Sequence, residues 1–293
     1  MRRIFKIFYS ILTIIIIYGF LYWCVNLSIS NQNISEQPSN TNNYSWNNFN
    51  ESLFYPGIAI IADNRADLSI PSRVLNVLTH IPSTWPIQII YGTSNYKYLI
   101  ECEDLKPYIE NGRIILTKLF NENLFASPNN LFTTVKFYEQ IVGEKILNFQ
   151  LDSLFCSNSP HKLTDYLQYD YIGAPWRMTS EHGMVGNSGF SLRTRSKTIE
   201  LLTKHSYDFS KNEDEWFASH FYLVNASIPP VQIAVTFSVE TQYYSKPLGV
   251  HMPGNYLNMK DYKALCKQCP EVRMIWPYCQ NKVKLVGRNT DDY

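Results

Sequence analysis

Between Gly57 and Cys156 the chain alternates short, unbroken apolar runs with stretches in which apolar residues recur at helical spacing. GIAIIADNR (Gly57 to Arg65), PIQIIYG (Pro86 to Gly92) and RIILTKL (Arg113 to Leu119) read as strands, and so does the start of KILNFQLDSLFC (Lys145 to Cys156). Helices are expected over Pro71 to His80, where Val74, Leu75 and Leu78 share a side, over about Tyr96 to Ile109, and over Leu131 to Val142. Strand and helix in alternation predict a mostly parallel sheet covered by helices on both faces. In such a sheet ligands bind beyond the carboxyl ends of the strands, and Asp152, the one charge after Lys145 in its run, stands at such an end. It is a candidate for holding a divalent cation or, equally, for capping the next turn.

The second half is less regular. YDYIGAPW (Tyr169 to Trp176) and MVGNSGFSLRTRS (Met184 to Ser196) flank a polar link containing His182. Gly183, Gly186 and Gly189 permit either a sharp turn or a close approach of backbone to a ligand. A short helix is expected over Thr198 to His205 and another in NEDEWFASHF (Asn212 to Phe221), followed by strand-like AVTFSVE (Ala234 to Glu240) and LGVHM (Leu248 to Met252).

The amino terminus changes the picture of the compartment. Ile7 to Val25 is uncharged and long enough to cross a bilayer, it follows Arg2, Arg3 and Lys6, and no further Lys or Arg occurs before Arg65. That asymmetry predicts a single-pass type II anchor rather than a cleaved signal peptide, since the run ends in Tyr22, Trp23 and Cys24. Residues 1–6 form the cytosolic tail, 7–25 the anchor and 26–56 an Asn- and Ser-rich luminal stem, with a folded domain over 57–254 and a Cys-containing extension over 255–293. Asn33, Asn43, Asn50 and Asn225 each begin an Asn-x-Ser triplet, in keeping with a secretory lumen.

Charge and cysteine content add exclusions. With 26 basic and 25 acidic residues the chain lacks the basic excess of a nucleic-acid surface. There is no GxGxxG after the first strand and no GxxxxGK[ST], against a dinucleotide fingerprint or a P-loop. Outside the anchor the five cysteines Cys102, Cys156, Cys266, Cys269 and Cys279 favour disulfides in an oxidising lumen, with at least one thiol unpaired or paired between chains, and Cys266 and Cys269 read as structural.

Candidate chemistry gathers in four places. Asp152 and Ser153 could hold Mg²⁺ or Mn²⁺ against a diphosphate, and His251 could be a further ligand or a packing residue. Glu213 and Asp214 could supply a general base or complement a helix dipole. The loop Gly186 to Gly189, with Asn187, could position a substrate or be an ordinary turn.

YDYIGAPW, GNSGFSLR, EDEWF, and FSVE followed by KPLGVH together resemble the successive signatures of an uncharacterised (DUF-type) domain family grouped with GT-A-fold glycosyltransferases, over about Gly57 to Gly254. The resemblance implies a Rossmann-like GT-A-type, mostly parallel sheet flanked by helices; the transmembrane helix and stem that precede it lie outside the resemblance. It implies a hexosyltransferase-like enzyme that moves a sugar from a nucleotide-sugar donor to a glycan, glycoprotein or glycolipid hydroxyl, and anchor, stem and that activity together point to a Golgi or ER membrane with the folded domain in the lumen. Gln150-Leu151-Asp152 is similar to the family's D-x-D, with the metal-binding Asp present and the first Asp replaced by Gln. His251 is similar to the late metal ligand, Asp214 to the base of inverting members, and Asp63, Asn64 and Arg65 to the usual nucleotide contacts. The Gln at position 150 keeps a second reading open: a non-catalytic glycan- or nucleotide-sugar-binding module.

Overall fold

The computed structural model describes residues 54–177, 185–276 and 279. The expected tail, anchor and nearly all of the stem lie outside the described residues, as do Asn33, Asn43, Asn50, His182 and Gly183. Among the described residues no helix is long and apolar enough to cross a membrane.

The architecture is mixed α/β with a mostly parallel central sheet. Its strands are β1 (Tyr55–Ala62), β2 (Ile87–Tyr91), β3 (Ile114–Lys118), β4 (Gly143–Phe149), β6 (Tyr171–Ile172) and β7 (Phe190–Thr194), while β5 (Ser153–Phe155), β8 (Ser238–Val239) and β9 (Gly249–His251) form a second, smaller sheet. The large sheet runs β3-β2-β1-β4-β7-β6; β3, β2, β1 and β4 are parallel, and β7 is antiparallel to both β4 and β6. In the small sheet β9 is antiparallel to β5 and parallel to β8.

The period of two along β1 explains why the sheet is covered on both sides. Ala59 and Ile61 enter one core with Val74, Val77, Ile89, Leu147 and Phe149, whereas Ile58 and Ile60 enter the other with Ile146, Leu201, Trp216 and Phe217. Each face is closed by helices, Ile70–Leu78 on the first and Arg195–Lys204 with Glu213–His220 on the second. A third cluster joins Leu154, Val239 and Val250 of the small sheet to Leu257, Tyr262, Leu265 and Val272, so the segment beyond Gly254 packs against the sheet that carries His251. Disulfides Cys156–Cys269 and Cys266–Cys279 tie this cluster, and Cys102 is free.

Three expectations are corrected here. The strand that opens KILNFQLDSLFC does not run on to Asp152: β4 ends at Phe149, and a turn closed by Ser153 N donating to Gln150 O (3.1 Å) and by Gln150 N donating to Ser153 Oγ (2.9 Å) sends β5 into the other sheet. The helices expected over 96–109 and 131–142 are each split, into Tyr96–Glu101 and Lys106–Glu110, and into Pro128–Phe132 and Val135–Glu139. Most of AVTFSVE is helical: Val231–Phe237 follows Pro230, with Ala234 and Phe237 buried three residues apart, and only Ser238 and Val239 enter a sheet.

Candidate functional site

The sheet order reverses beside β1, since β2 and β3 lie to one side of it and β4 to the other. In open α/β sheets such a switch point is where the ligand crevice lies, and here it falls at the carboxyl ends of β1 and β4, from which Asp63-Asn64-Arg65 and Gln150-Leu151-Asp152 leave. Because β7 runs antiparallel, its amino end meets the same edge: Phe190 pairs with Phe149, Gly189 O accepts from Gln150 N (3.0 Å), and Ser188 O accepts from Asn148 Nδ2 (2.6 Å). The glycine loop is therefore fastened to the turn that carries Asp152.

The small sheet brings the remaining groups by register. Ser153 is paired with His251, and Met252 N donates to Asp152 O (3.0 Å), so the imidazole lies against the Asp152 carboxylate. Val239 is paired with Val250 in parallel, which sets the next residue, Glu240, level with His251. Glu240 is the site residue that the sequence reading did not single out.

These side chains form one continuous polar chain. His251 Nε2 is 3.4 Å from Asp152 Oδ1, and its Nδ1 is 3.0 Å from Glu240 Oε1. The same Glu240 oxygen accepts from Asn187 Nδ2 (3.0 Å), which also donates to Asp214 Oδ2 (3.2 Å). Asn187 Oδ1 accepts from Gly189 N (2.9 Å), and this fixes which way the amide faces. Asp214 arrives at the amino end of the Glu213–His220 helix, which is anchored by Glu213 N donating to Asn129 Oδ1 (2.9 Å).

The electrostatics follow from crowding carboxylates in a partly dry crevice. Burial lowers the basicity of His251, but Asp152 and Glu240 on its two sides outweigh burial and raise its pKa to about 9. For Asp152 burial acts upward, yet the His251 contact and the Arg65 charge leave the carboxyl below its usual range. Asp214 is raised, first by burial and then by the charge of Glu240, against the opposing hydrogen bond from Glu215 N.

The other expected residues occupy the crevice or support it. Asp63 is gripped by Arg65, whose Nε and Nη2 donate to its two oxygens (3.0 and 2.6 Å), and the Arg65 side chain is 66% exposed at the rim. Asn64 is half-buried and its carbonyl accepts from Ser94 Oγ. Arg73, buried in the Ile70–Leu78 helix, donates to Leu151 O (2.6 Å) and to Met274 O (2.7 Å), binding the Asp152 turn to the carboxyl-terminal helices.

Three readings change on geometric grounds. Glu213 is 4% exposed and turns into the core, where Ser188 Oγ donates to it and Arg193 lies below, so it does not face the crevice beside Asp214. Gly186, with φ at +136°, makes room for the Tyr171 ring, and Gly189 for the His251 ring, so the close approaches these glycines allow are to protein. The Asn187 amide is committed to Asp214, Glu240 and Gly189, which makes it a brace.

One test of the metal expectation is available in the donor set. Asp152 Oδ1 and His251 Nε2 are buried and have no hydrogen-bond partner closer than each other at 3.4 Å, an ion pair while the ring is protonated, and a cation that displaced that proton could meet both. The imidazole is held from behind by a carboxylate, as metal-ligating histidines usually are. Among the described residues there is no cluster of three or more His, Cys, Asp or Glu side chains arranged for a metal. The pair therefore fits a divalent ion only if its other positions are left to substrate oxygens and water, and the imidazole suits Mn²⁺ better than Mg²⁺, which prefers oxygen.

Fold and site together define an α/β protein with a crevice at the topological switch point, lined by carboxylates and one histidine. Residues 115–251, from β3 to the end of β9, match the profile of a family described as "Protein of unknown function (DUF5672)", a span that contains Asp152, Asp214, Glu240 and His251. No curated protein matches the chain. Among solved structures the chain is similar to the apo-form glycosyltransferase GlyE of Streptococcus pneumoniae TIGR4, with 14% identity and a TM-score of 0.45 over 78% of this chain. The likeness spans 61% of that protein, less than two thirds of its length.

Proposed function

We propose that this chain is a glycosyltransferase that moves a sugar from a nucleotide-sugar donor to an acceptor hydroxyl on a glycan, glycoprotein or glycolipid. The observation that carries the reading is the continuous chain from Asp152 through His251, Glu240 and Asn187 to Asp214, lying at the switch-point crevice. It supplies a donor pair for a cation at one end and a carboxylate of raised basicity at the other. Asp152 and His251 are the residues that would hold a Mn²⁺ or Mg²⁺, which would supply positive charge against the leaving diphosphate.

The chain's own residues divide the work. Arg65, held by Asp63 at the rim, faces the donor's negative groups, and Gln150 offers uncharged hydrogen bonds to sugar or ribose hydroxyls. Asp214 takes the proton of the acceptor hydroxyl as its oxygen bonds to the anomeric carbon and the bond from that carbon to the diphosphate breaks. Attack opposite the leaving group inverts the carbon. The reading includes the type II anchor over 7–25 and a Golgi or ER lumen, and its support among the described residues is the pair of disulfides, which belong to an oxidising compartment.

A second reading, a nucleotide-sugar- or glycan-binding module without turnover, is favoured by the uncharged Gln150. Calorimetry on the full chain with a panel of nucleotide sugars, in Mn²⁺ and in chelator, separates the two when followed by an acceptor screen. The transferase reading expects one donor to bind only with metal, to lose that binding in Asp152→Ala, and to be turned over with an acceptor. Binding without turnover selects the module, and no donor binding in either condition removes the donor site altogether.

A further inference from the structure

We infer that Glu240 is the positioning residue that serves both ends of this crevice, a role that rests on the metal reading above. Its carboxylate is 3% exposed, and a single oxygen, Oε1, meets His251 Nδ1 at 3.0 Å and Asn187 Nδ2 at 3.0 Å. A carboxylate can only accept here, so Nδ1 keeps its hydrogen when a cation displaces the proton that the metal-free ring carries on Nε2 toward Asp152. Without that partner the ring could adopt its other tautomer or rotate, and the Nε2 to Asp152 pairing would lose its fixed direction.

On its second branch Glu240 holds one amide hydrogen of Asn187 while Asp214 holds the other, and Gly189 N holds the amide oxygen. Flipping that amide would set its oxygen against two carboxylates, so its orientation is determined. Glu240 thereby aligns the cation donors directly and the base through one intermediate. Its second oxygen, Oε2, is buried without a partner, and this fits a group retained for position at some cost in solvation. The position of Glu240 in turn depends on the parallel pairing of β8 with β9.

The test is a titration of the full chain with Mn²⁺ alone, read by calorimetry for wild type, Glu240→Gln, Glu240→Asp, Asn187→Ala and His251→Ala. The ring's tautomer is read alongside by ¹⁵N chemical shifts of the His251 nitrogens, at a pH high enough for the metal-free ring to be neutral. Glu240→Gln is expected to weaken Mn²⁺ binding by about 10- to 100-fold and to mix the tautomers, because the amide can present either an oxygen or an N–H to Nδ1. Asn187→Ala removes the second group bonded to the same Glu240 oxygen and is expected to weaken Mn²⁺ binding less than Glu240→Gln does; a larger loss than in Glu240→Gln would overturn the inference.

If wild type binds Mn²⁺ and Glu240→Gln binds it equally with an unchanged tautomer, the inference fails while the metal reading stands. If wild type itself binds no Mn²⁺, the metal reading fails and the inference with it. Should Glu240→Gln not fold, as thermal melting would reveal, Glu240→Asp decides. It keeps the charge but falls one methylene short, so an affinity equal to wild type overturns the inference and a loss supports it.

Discussion

Gly189 and His251 touch so closely that position 189 has no room for a side chain: a Cβ there would lie 2.1 Å from Nε2, 2.3 Å from Cδ2 and 2.6 Å from Cε1 of the imidazole. The ring is held by Glu240 from behind and cannot simply swing away. Gly189→Ala is expected to displace it, with a destabilisation of about 1–3 kcal/mol from overpacking. Mn²⁺ affinity should fall together with the melting temperature. An alanine variant with wild-type affinity would mean that the ring is not the donor.

Asp214 carries the next prediction. Burial and the nearby Glu240 charge raise its pKa to about 6, and a base works only when it is ionised. Turnover should therefore rise with pH through about 6 and level off above it. Asp214→Asn should lower kcat by about 10² to 10⁴ and leave donor binding nearly intact, because the lost contact acts in the transition state. Steady-state rates across pH 5 to 8, with donor affinity measured separately, check both parts. A flat profile or a small kcat effect would remove Asp214 from the base role.

The central strands were legible because they are buried on both faces, and their continuous apolar runs survive in the sequence as such. Asp152 and His251 were legible for a related reason, each being a polar residue at the end of an apolar run. Glu240 ends the run AVTFSVE in the same way, and this signal could have found it. It was hidden because the run reads as a strand, in which a terminal Glu is ordinarily solvated, while AVTF is in fact a helical turn and the two-residue ladder after it stops just before Glu240, leaving it beside His251. Asp152 and His251 meet through pairing across about 100 residues, a relation that no local pattern encodes. The Glu213 and Asp214 pair was ambiguous until helix orientation separated a buried acid from one in the crevice.

The two disulfides predict how the carboxyl-terminal helices are held. Cys156 directly follows β5 and is bonded to Cys269, a separation of 113 residues, so the bond closes a long loop of the unfolded chain. Its removal as Cys156→Ser with Cys269→Ser is expected to cost about 2–5 kcal/mol. Cys102→Ser, at the half-buried free thiol, should change stability by less than about 1 kcal/mol. Denaturant melts of the three proteins, with limited proteolysis of the segment after Leu257, test this. Equal stability of the double variant and wild type would show that the cluster around Leu265 and Val272 holds without the covalent bond.

Glu213 supplies a prediction in the opposite pH sense to acid denaturation. Burial, and then the neighbouring Asp214 charge, push its pKa up to about 8, against the smaller effects of Arg193 and Ser188, whereas its ordinary value is 4.5. Between those values the folded chain holds a proton that the unfolded chain has released, so this residue's contribution to stability is fully present below about 4.5 and is lost as pH rises to about 8. Glu213→Gln keeps the shape and an acceptor for Ser188 Oγ but has no proton to release. The variant should therefore match wild type at low pH and exceed it in melting temperature at pH 8 to 9, with Mn²⁺ affinity unchanged because the side chain faces the core. A wild-type advantage that grows with pH would show instead that Glu213 is ionised in the fold and paired with Arg193.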